Sequence, residues 1–188
     1  MGLTISYIVI AIYSIALILI FLYSLAQLNL LVNYLSNKRR NQEAPKFNLL
    51  DPKEIPFVTI QLPIYNEEYV VERLLDNIAK IEYPKSKLEI QVLDDSTDDS
   101  VTETAGRIKA LQDTGLDIQH ICRENREGFK AGALKEGLKI AKGEFIAIFD
   151  ADFLPDSDWL KKTVIYFKDE EIGVVQTRWG HINRDYST

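Results

Sequence analysis

The chain has 188 residues, 46% of them hydrophobic, and a formal net charge of −6, which excludes a disordered chain and argues against a nucleic-acid-binding protein. Its single cysteine, Cys122, excludes an intramolecular disulfide framework and a cysteine-rich zinc site. The length alone is typical of a single domain, but residues 1–37 contain no Asp, Glu, Lys or Arg. The composition therefore divides the chain into an apolar N-terminal segment and a charged remainder.

The N-terminal segment is apolar over a membrane-spanning length. Almost every residue in 3–22 is aliphatic or aromatic, and weaker apolar character continues to about residue 35. A helix needs about 20 apolar residues to cross a hydrocarbon core of about 30 Å. A signal peptide is the alternative, but the segment lacks a basic start and no small-residue cleavage site follows it. The sequence predicts a retained transmembrane helix over residues 1–37.

A basic cluster, Lys38-Arg39-Arg40, follows the apolar segment directly. Because basic residues beside a membrane helix remain in the cytoplasm, we expect the N-terminus outside the inner or plasma membrane and the rest of the chain in the cytoplasm. Residues 38–56 are polar and contain three prolines, Pro45, Pro52 and Pro56. They are predicted to form a juxtamembrane linker.

From residue 57 onward, short β-rich stretches alternate with stretches of helical periodicity. The predicted strands are 57–62, 88–93, 118–122, 144–149 and 172–177. The predicted helices are 69–81, 100–111, 129–141 and 156–167, the last capped by Asp156 or Ser157. This alternation predicts an α/β fold with right-handed crossovers and a mainly parallel sheet, whose ligands bind beyond the carboxyl ends of the strands.

Polar motifs follow the first four predicted strands. They occupy residues 63–68, 94–98, 126–132 and 150–152. Helix capping and solvated turns explain any one of these motifs by itself. Four at the same edge of a parallel sheet favour a binding site there.

The motif Asp150-Ala151-Asp152 carries the clearest chemistry. Side chains two residues apart on an extended segment point to the same side, and two such carboxylates repel each other unless a cation lies between them. Hard oxygen ligands suit Mg²⁺ or Mn²⁺, which would bind diphosphate oxygens and act as a Lewis acid on a leaving phosphate. The motif is common in loops, but its position after an apolar strand strengthens the interpretation.

Two further loops offer groups for a nucleotide. Lys130 is at the start of a predicted helix, where free N–H groups attract anions. Gly128 and Gly132 would let the backbone approach a phosphate closely. Asp94 and Asp95 are able to accept hydrogen bonds from a ribose or a base, or alternatively to cap the following helix.

The histidines and the cysteine receive no catalytic role from their spacing. His120 and His181 have no ligand partner at metal-binding spacing, so His120 is expected to be an ordinary strand or surface residue. His181 follows a tryptophan near the predicted binding edge, where an acceptor contact is the alternative reading. Cys122 is expected to be a small buried hydrophobe.

Four motifs together resemble a known family. Residues 63–67, 92–96, 130–133 and 150–153 occur in the order and at the spacing seen in glycosyltransferase family 2, in particular its membrane-bound branch with cellulose synthases and plant-type mannan synthases. The resemblance covers about 57–183. It implies a GT-A fold and a membrane-anchored inverting hexosyltransferase of polysaccharide biosynthesis. Its donor would be a UDP- or GDP-hexose, and its acceptor a glycan or a lipid.

The resemblance also implies roles for individual residues. The nucleotide-binding positions correspond to Tyr65, Glu67, Asp94, Asp95 and Lys130. Asp150 and Asp152 correspond to the family's Mg²⁺- or Mn²⁺-binding motif. The strand that borders the sugar and acceptor sites corresponds to Gln176, Arg178 and Trp179.

The chain also departs from the family pattern. The family's general base is a later Asp, followed by a Gln-x-x-Arg-Trp motif and further membrane helices, and none of these occurs up to Thr188. Residues 57–188 are therefore expected to be the donor-binding part of a longer GT-A domain. The alternatives are a non-catalytic membrane-anchored nucleotide-sugar-binding module and a nucleotidyltransferase. The latter would need a glycine-rich loop after the first strand, which 63–67 do not supply.

Overall fold

The computed structural model describes residues 2–38, 51, 53–178 and 180, and it divides into two units, Met1–Ala44 and Pro45–Thr188. The first unit is built on one helix, α1 (Gly2–Lys38). Within it, Thr4–Ser36 is long and apolar enough to cross a membrane. Its side chains are exposed in this unit, as expected of a helix whose apolar surface covers its whole circumference. A long apolar helix was the prediction for this segment.

The second unit is built on a four-stranded, fully parallel sheet in the order β3-β2-β1-β4. Its strands are β1 (Val58–Ile64), β2 (Leu88–Asp94), β3 (Ile118–Cys122) and β4 (Phe145–Ile148). Its helices are α2 (Val71–Ile78), α3 (Ser100–Gln112), α4 (Phe129–Ile140) and α5 (Trp159–Thr163). Single 3-10 turns occupy Lys85–Lys87 and Val164–Lys168. The predicted α/β class, parallel sheet and first four strands are confirmed.

One face of the sheet forms the hydrophobic core. Successive strand residues point to opposite faces, so Val58, Ile60 and Leu62 of β1 share a face. These residues are at most 1% exposed and belong to one buried cluster with apolar side chains of the helices. The helical members of that cluster are Val71, Leu74, Leu75 and Ile78 of α2, Ile108 and Leu111 of α3, and Leu160 of α5.

The opposite face carries a buried polar ladder. Its members are the buried residues Thr59 and Gln61 of β1 and Glu89 and Gln91 of β2, together with half-buried Gln119 of β3. The Glu89 carboxylate accepts hydrogen bonds from the Thr59 hydroxyl at 2.7 Å and from the backbone N–H of Lys142 at 2.9 Å. A buried carboxyl group needs hydrogen-bond partners, so breaking these contacts would be costly. They therefore hold β1, β2 and the segment before β4 in one register.

The predicted fifth strand is absent. Residues 172–178 form neither a strand nor a bridge, and Val174 is 82% exposed. The prediction was wrong because β propensity expresses itself only where a neighbouring strand provides pairing and burial, and the described residues contain no partner for this segment.

The last predicted helix begins later than expected. α5 starts at Trp159 with Asp158 at its N-cap, so neither Asp156 nor Ser157 caps it. The Ser157 hydroxyl instead donates a hydrogen bond to Glu82, and the Ser157 carbonyl accepts one from the Glu82 backbone. These contacts with a distant segment take Ser157 away from the helix end.

Candidate functional site

A pocket of about 500 Å³ opens at the carboxyl ends of β1, β2 and β4. Its size is within the usual range for a small-molecule site. Six of the residues singled out from the sequence line it: Tyr65, Glu67, Asp95, Lys130, Asp150 and Asp152. They come from the loops after β1, β2 and β4 and from the first turn of α4, so the parallel order of the strands brings them together. We call this the donor pocket, after the nucleotide-sugar donor that the resemblance to the family implies.

The two aspartates of the Asp-x-Asp motif stand on a turn. β4 already ends at Ile148, and the backbone N–H of Phe153 donates to the Asp150 carbonyl at 3.0 Å. The extended geometry that we expected for these residues is therefore wrong. Both carboxylates nevertheless line the donor pocket, because buried Phe149 and Ala151 anchor the turn between them.

The carboxylates at this turn are suitable ligands for a hard divalent cation. Asp150 is ion-paired with Lys130 and its side chain is 44% exposed, and Asp152 is exposed. Two accessible carboxylates supply oxygen ligands of the kind that Mg²⁺ and Mn²⁺ prefer, and such ions commonly take their remaining ligands from water and substrate phosphates. Lys130 offers the positive charge that a diphosphate would also contact.

The two glycines near Lys130 shape the start of α4. Gly128 adopts a left-handed φ of 70° at the start of α4. A Cβ atom on Gly132 would lie 1.9 Å from the Glu127 carbonyl oxygen and 2.7 Å from an Arg123 nitrogen. Gly132 therefore allows the helix to pack against its own preceding loop.

Arg123, which the sequence did not single out, joins Asp95 to the loop before α4. Its Nε donates to the Asp95 carboxylate at 2.9 Å, and its two terminal nitrogens donate to the Glu127 and Phe129 carbonyls, each at 3.0 Å. Its side chain is 13% exposed. Arg123 directly follows β3, at the edge of the sheet where the other motifs lie, and this position could have identified it from the sequence.

A second arginine from the same loop enters the pocket. The Arg126 guanidinium lies 3.3 Å from the centroid of the Tyr65 ring, which is a cation–π contact. Its Nε is 3.8 Å from the Asp95 carboxylate and makes no hydrogen bond among the described residues. The stacked pair therefore presents a flat, positively charged surface to the donor pocket.

Asp94 is not brought into the donor pocket. Its carboxylate is fully buried, lies 2.8 Å from His120 Nε2, and accepts a hydrogen bond from the Ser96 backbone at 2.9 Å. Burial alone would raise the pKa of the Asp94 carboxyl, but the hydrogen bonds from His120 and Ser96 outweigh it and hold the pKa below its usual value. Asp94 thus orders the loop after β2.

His120 lies on β3, as expected, whereas Cys122 differs from expectation. His120 Nε2 is 2.8 Å from Asp94 Oδ2 and 3.5 Å from the Cys122 sulfur. Cys122 is exposed rather than a buried hydrophobe, because β3 is an edge strand of the sheet. Sequence spacing alone did not show this grouping, because Asp94 lies on the neighbouring strand.

Of the three residues predicted to border the sugar and acceptor sites, the structure describes Gln176 and Arg178. Arg178 lines a second pocket of about 710 Å³ that shares Asp150 and Asp152 with the donor pocket. Gln176 is exposed and lines neither of these two pockets. Trp179 and His181 lie outside the described residues.

Comparison with known proteins agrees with this arrangement. The model of the family Glycosyl transferase family 2 matches residues 59–188. The chain is 38% identical over 170 residues to glucomannan 4-beta-mannosyltransferase 1 from Cyamopsis tetragonoloba, covering 86% of this chain and 32% of that protein. It is 41% identical over 142 residues to glucomannan 4-beta-mannosyltransferase 1 from Oryza sativa subsp. japonica, covering 72% and 27%. The chain thus spans about a third of the length of these relatives.

Solved structures show the same fold. The mannosyltransferase PcManGT from Pyrobaculum calidifontis, in complex with GDP-Man and Mn²⁺, is 34% identical with a TM-score of 0.59, over 74% of this chain and 40% of that one. S. aureus TarS 1–349 in complex with UDP is 27% identical with a TM-score of 0.53, over 61% and 32%. The GT-A fold implied by the motifs is confirmed. With the family model matching the sheet and all the loops of the donor pocket, the chain belongs to glycosyl transferase family 2.

Proposed function

We propose that this chain is the donor-binding part of a membrane-anchored, inverting hexosyltransferase that extends a β-glycan or glycosylates a lipid. The observation that supports this most directly is the convergence of Tyr65, Glu67, Asp95, Lys130, Asp150 and Asp152 on one pocket of about 500 Å³. In this proposal residues 57–188 bind the donor, 38–56 are a linker, and 1–37 anchor the protein with the donor-binding part on the cytoplasmic side.

The donor pocket offers separate groups for the two ends of a nucleotide. At one end, the Tyr65–Arg126 stack provides a flat surface for a nucleobase, and the carboxylates of Glu67 and Asp95 accept hydrogen bonds from the nucleoside. At the other end, Lys130 provides a cation for the diphosphate. We assign Asp94 the indirect role of holding the loop that carries Asp95.

Asp150 and Asp152 would hold the Mg²⁺ or Mn²⁺ ion that the family uses. When bound, such an ion supplies positive charge that the leaving diphosphate needs. The carboxylate of Asp150 is ion-paired with Lys130. Lys130 is thereby held at the pocket, beside the position at which phosphate oxygens would arrive.

A GDP-linked mannose is the donor that the relatives favour. The curated relatives are glucomannan mannosyltransferases, and the structure of PcManGT contains GDP-Man and Mn²⁺. UDP, which is bound in TarS, is the competing nucleotide. We therefore expect the pocket to prefer GDP over UDP, and Arg178 to face the sugar from the second pocket.

Calorimetric titration of the chain with GDP, GDP-mannose, UDP and UDP-glucose tests this proposal. We expect a guanine nucleotide to bind in the presence of Mn²⁺ and to lose most of its affinity in EDTA. Absence of binding by all four ligands would contradict a donor site. Equal affinity with and without metal would remove the role of Asp150 and Asp152. Binding by the natural protein without sugar transfer would support a non-catalytic module instead.

A further inference from the structure

Three metal-ligating side chains form a cluster outside the donor pocket. The ligand atoms of Asp94, His120 and Cys122 all lie within 4.8 Å of one another, and this is the one such group of three in the described residues. None of the three lines the donor pocket. We propose that they form a second metal site, which binds Zn²⁺ and similar soft divalent ions and is separate from the Asp150–Asp152 site.

The sheet itself builds this cluster. β2 and β3 pair in parallel, with Val92 opposite His120 and Asp94 opposite Cys122. Because side chains two residues apart on a strand share a face, all three ligands project from the same side at the carboxyl end of the two strands. Ligands on paired strands are held more precisely than ligands on loops, so the site is largely preformed.

The distances suit a small tetrahedral ion. His120 Nε2 is 2.8 Å from Asp94 Oδ2 and 3.5 Å from Cys122 Sγ. Zinc bonds of about 2.0–2.3 Å place neighbouring tetrahedral ligands roughly 3.3–3.6 Å apart. Entry of the ion requires small side-chain rotations and exchanges the Asp94–His120 hydrogen bond for two bonds to metal.

The surroundings also fit a metal site. The Asp94 side chain is fully buried, and its other oxygen is fixed by the Ser96 backbone N–H at 2.9 Å, which orients Oδ2 toward the cluster. Cys122 lies at the surface, so solvent is able to fill the fourth position. Asp95, which follows Asp94 in the chain, is ion-paired with Arg123.

The ligand types select the metal. A thiolate with an imidazole favours Zn²⁺, Co²⁺ or Cd²⁺, whereas Mg²⁺ and Mn²⁺ prefer oxygen ligands such as Asp150 and Asp152. Metal binding at this site requires the Cys122 thiolate, so the thiol proton is displaced when the metal binds.

Cadmium titration of the chain in excess Mg²⁺ tests the site. Because Cys122 is the sole cysteine, the ultraviolet charge-transfer band of a cadmium thiolate reports this position alone. We expect the band to saturate at one equivalent and to be reversed by Zn²⁺. Cys122→Ser should remove it, and His120→Asn should weaken cadmium affinity by at least about tenfold. The control Glu124→Gln, at an exposed carboxylate nearby, should leave the affinity within about twofold.

Cobalt provides a readout that needs no variant. The unmodified chain should develop the intense visible absorption of four-coordinate Co²⁺ with a thiolate ligand. Weak octahedral absorption, or no charge-transfer band with cadmium, would overturn the proposal. Unchanged cadmium affinity in a folded His120→Asn variant would also overturn it, since the thiol alone would then be the ligand.

Discussion

Arg123 organises the donor pocket without lining it. Its guanidinium ties the carboxylate of Asp95 to the two carbonyls of the loop that carries Arg126 and leads into Lys130. A lysine carries the same charge but has one nitrogen, so it cannot satisfy three acceptors in fixed directions. Arg123 is therefore a positioning residue for the groups that we assign to the nucleotide.

Arg123→Lys should reduce nucleotide affinity by roughly tenfold, because Asp95 and the loop lose their common partner. Arg107→Lys is the matched control, since Arg107 of α3 also contacts a carboxylate, Asp76 of α2, through two nitrogens, and neither residue lines the donor pocket. Calorimetry of both variants checks this expectation. Equal losses of affinity in the two variants would indicate a general effect on folding.

Asp152→Asn should lower the Mn²⁺-dependent affinity for nucleotide by at least about tenfold, because an amide is a poor replacement for an anionic metal ligand. In EDTA the variant and the parent chain should bind nucleotide equally weakly. Asp113→Asn, at an exposed carboxylate after α3, is the control and should change neither value. A retained metal dependence in Asp152→Asn would show that Asp152 is not a ligand.

At the scale of elements, α4 packs on the polar face of the sheet through small residues. A Cβ atom on Gly137 would lie 2.6 Å from Gln61 Nε2, 2.8 Å from Gln91 Oε1 and 2.8 Å from Leu93 Cδ2. The two glutamine side chains are buried and hydrogen-bonded to each other at 2.9 Å, so they have little freedom to move aside. Close approach of this helix thus depends on a glycine at this position.

Gly137→Ala should lower the free energy of unfolding, because overpacking costs about 1–3 kcal/mol and exceeds the gain in helix propensity of up to about 1 kcal/mol. Gly106→Ala in α3 is the matched control, with nothing within 4 Å of the added Cβ. It should stabilise the chain by about 0.4–1 kcal/mol. Urea unfolding of both variants measures the difference, and changes of the same sign would contradict this account of α4.

At the scale of the whole molecule, α1 and the second unit differ in where their apolar side chains lie. The segment Thr4–Ser36 contains no Asp, Glu, Lys or Arg, whereas the second unit buries its apolar side chains in a core of its own. This contrast supports the proposed membrane anchor, and the basic residues after it support the proposed orientation.

The orientation predicts a pattern of thiol labelling. In a Cys122→Ser background, Gly2→Cys should react with an impermeant thiol reagent in intact cells, and Asn41→Cys should react only after the membrane is permeabilised. The background substitution is needed because the native thiol is exposed. The reverse pattern would place the donor pocket on the other side of the membrane, and labelling of both positions would contradict a stable span.

The sequence by itself determined the local features of this protein. The first four strands were predicted to within two residues at each end, because alternation and turn chemistry are local signals. The family was recognisable because its four motifs lie in order along the chain. Six residues of the donor pocket could also be predicted from the sequence. Each lies on a segment that follows a strand, and a parallel sheet places these segments at one edge.

The tertiary structure decided what depends on neighbours that are distant in sequence. In the order β3-β2-β1-β4, β3 lies at the edge of the sheet, which exposes Cys122. The same order pairs β3 with β2, which brings His120 to Asp94. Residues 172–178 match a strand by composition but have no pairing partner among the described residues. Arg123 gained its role from carbonyls whose direction is set by the loop before α4. Each of these outcomes rests on pairing, burial or hydrogen bonds between separate segments, which a local pattern does not encode.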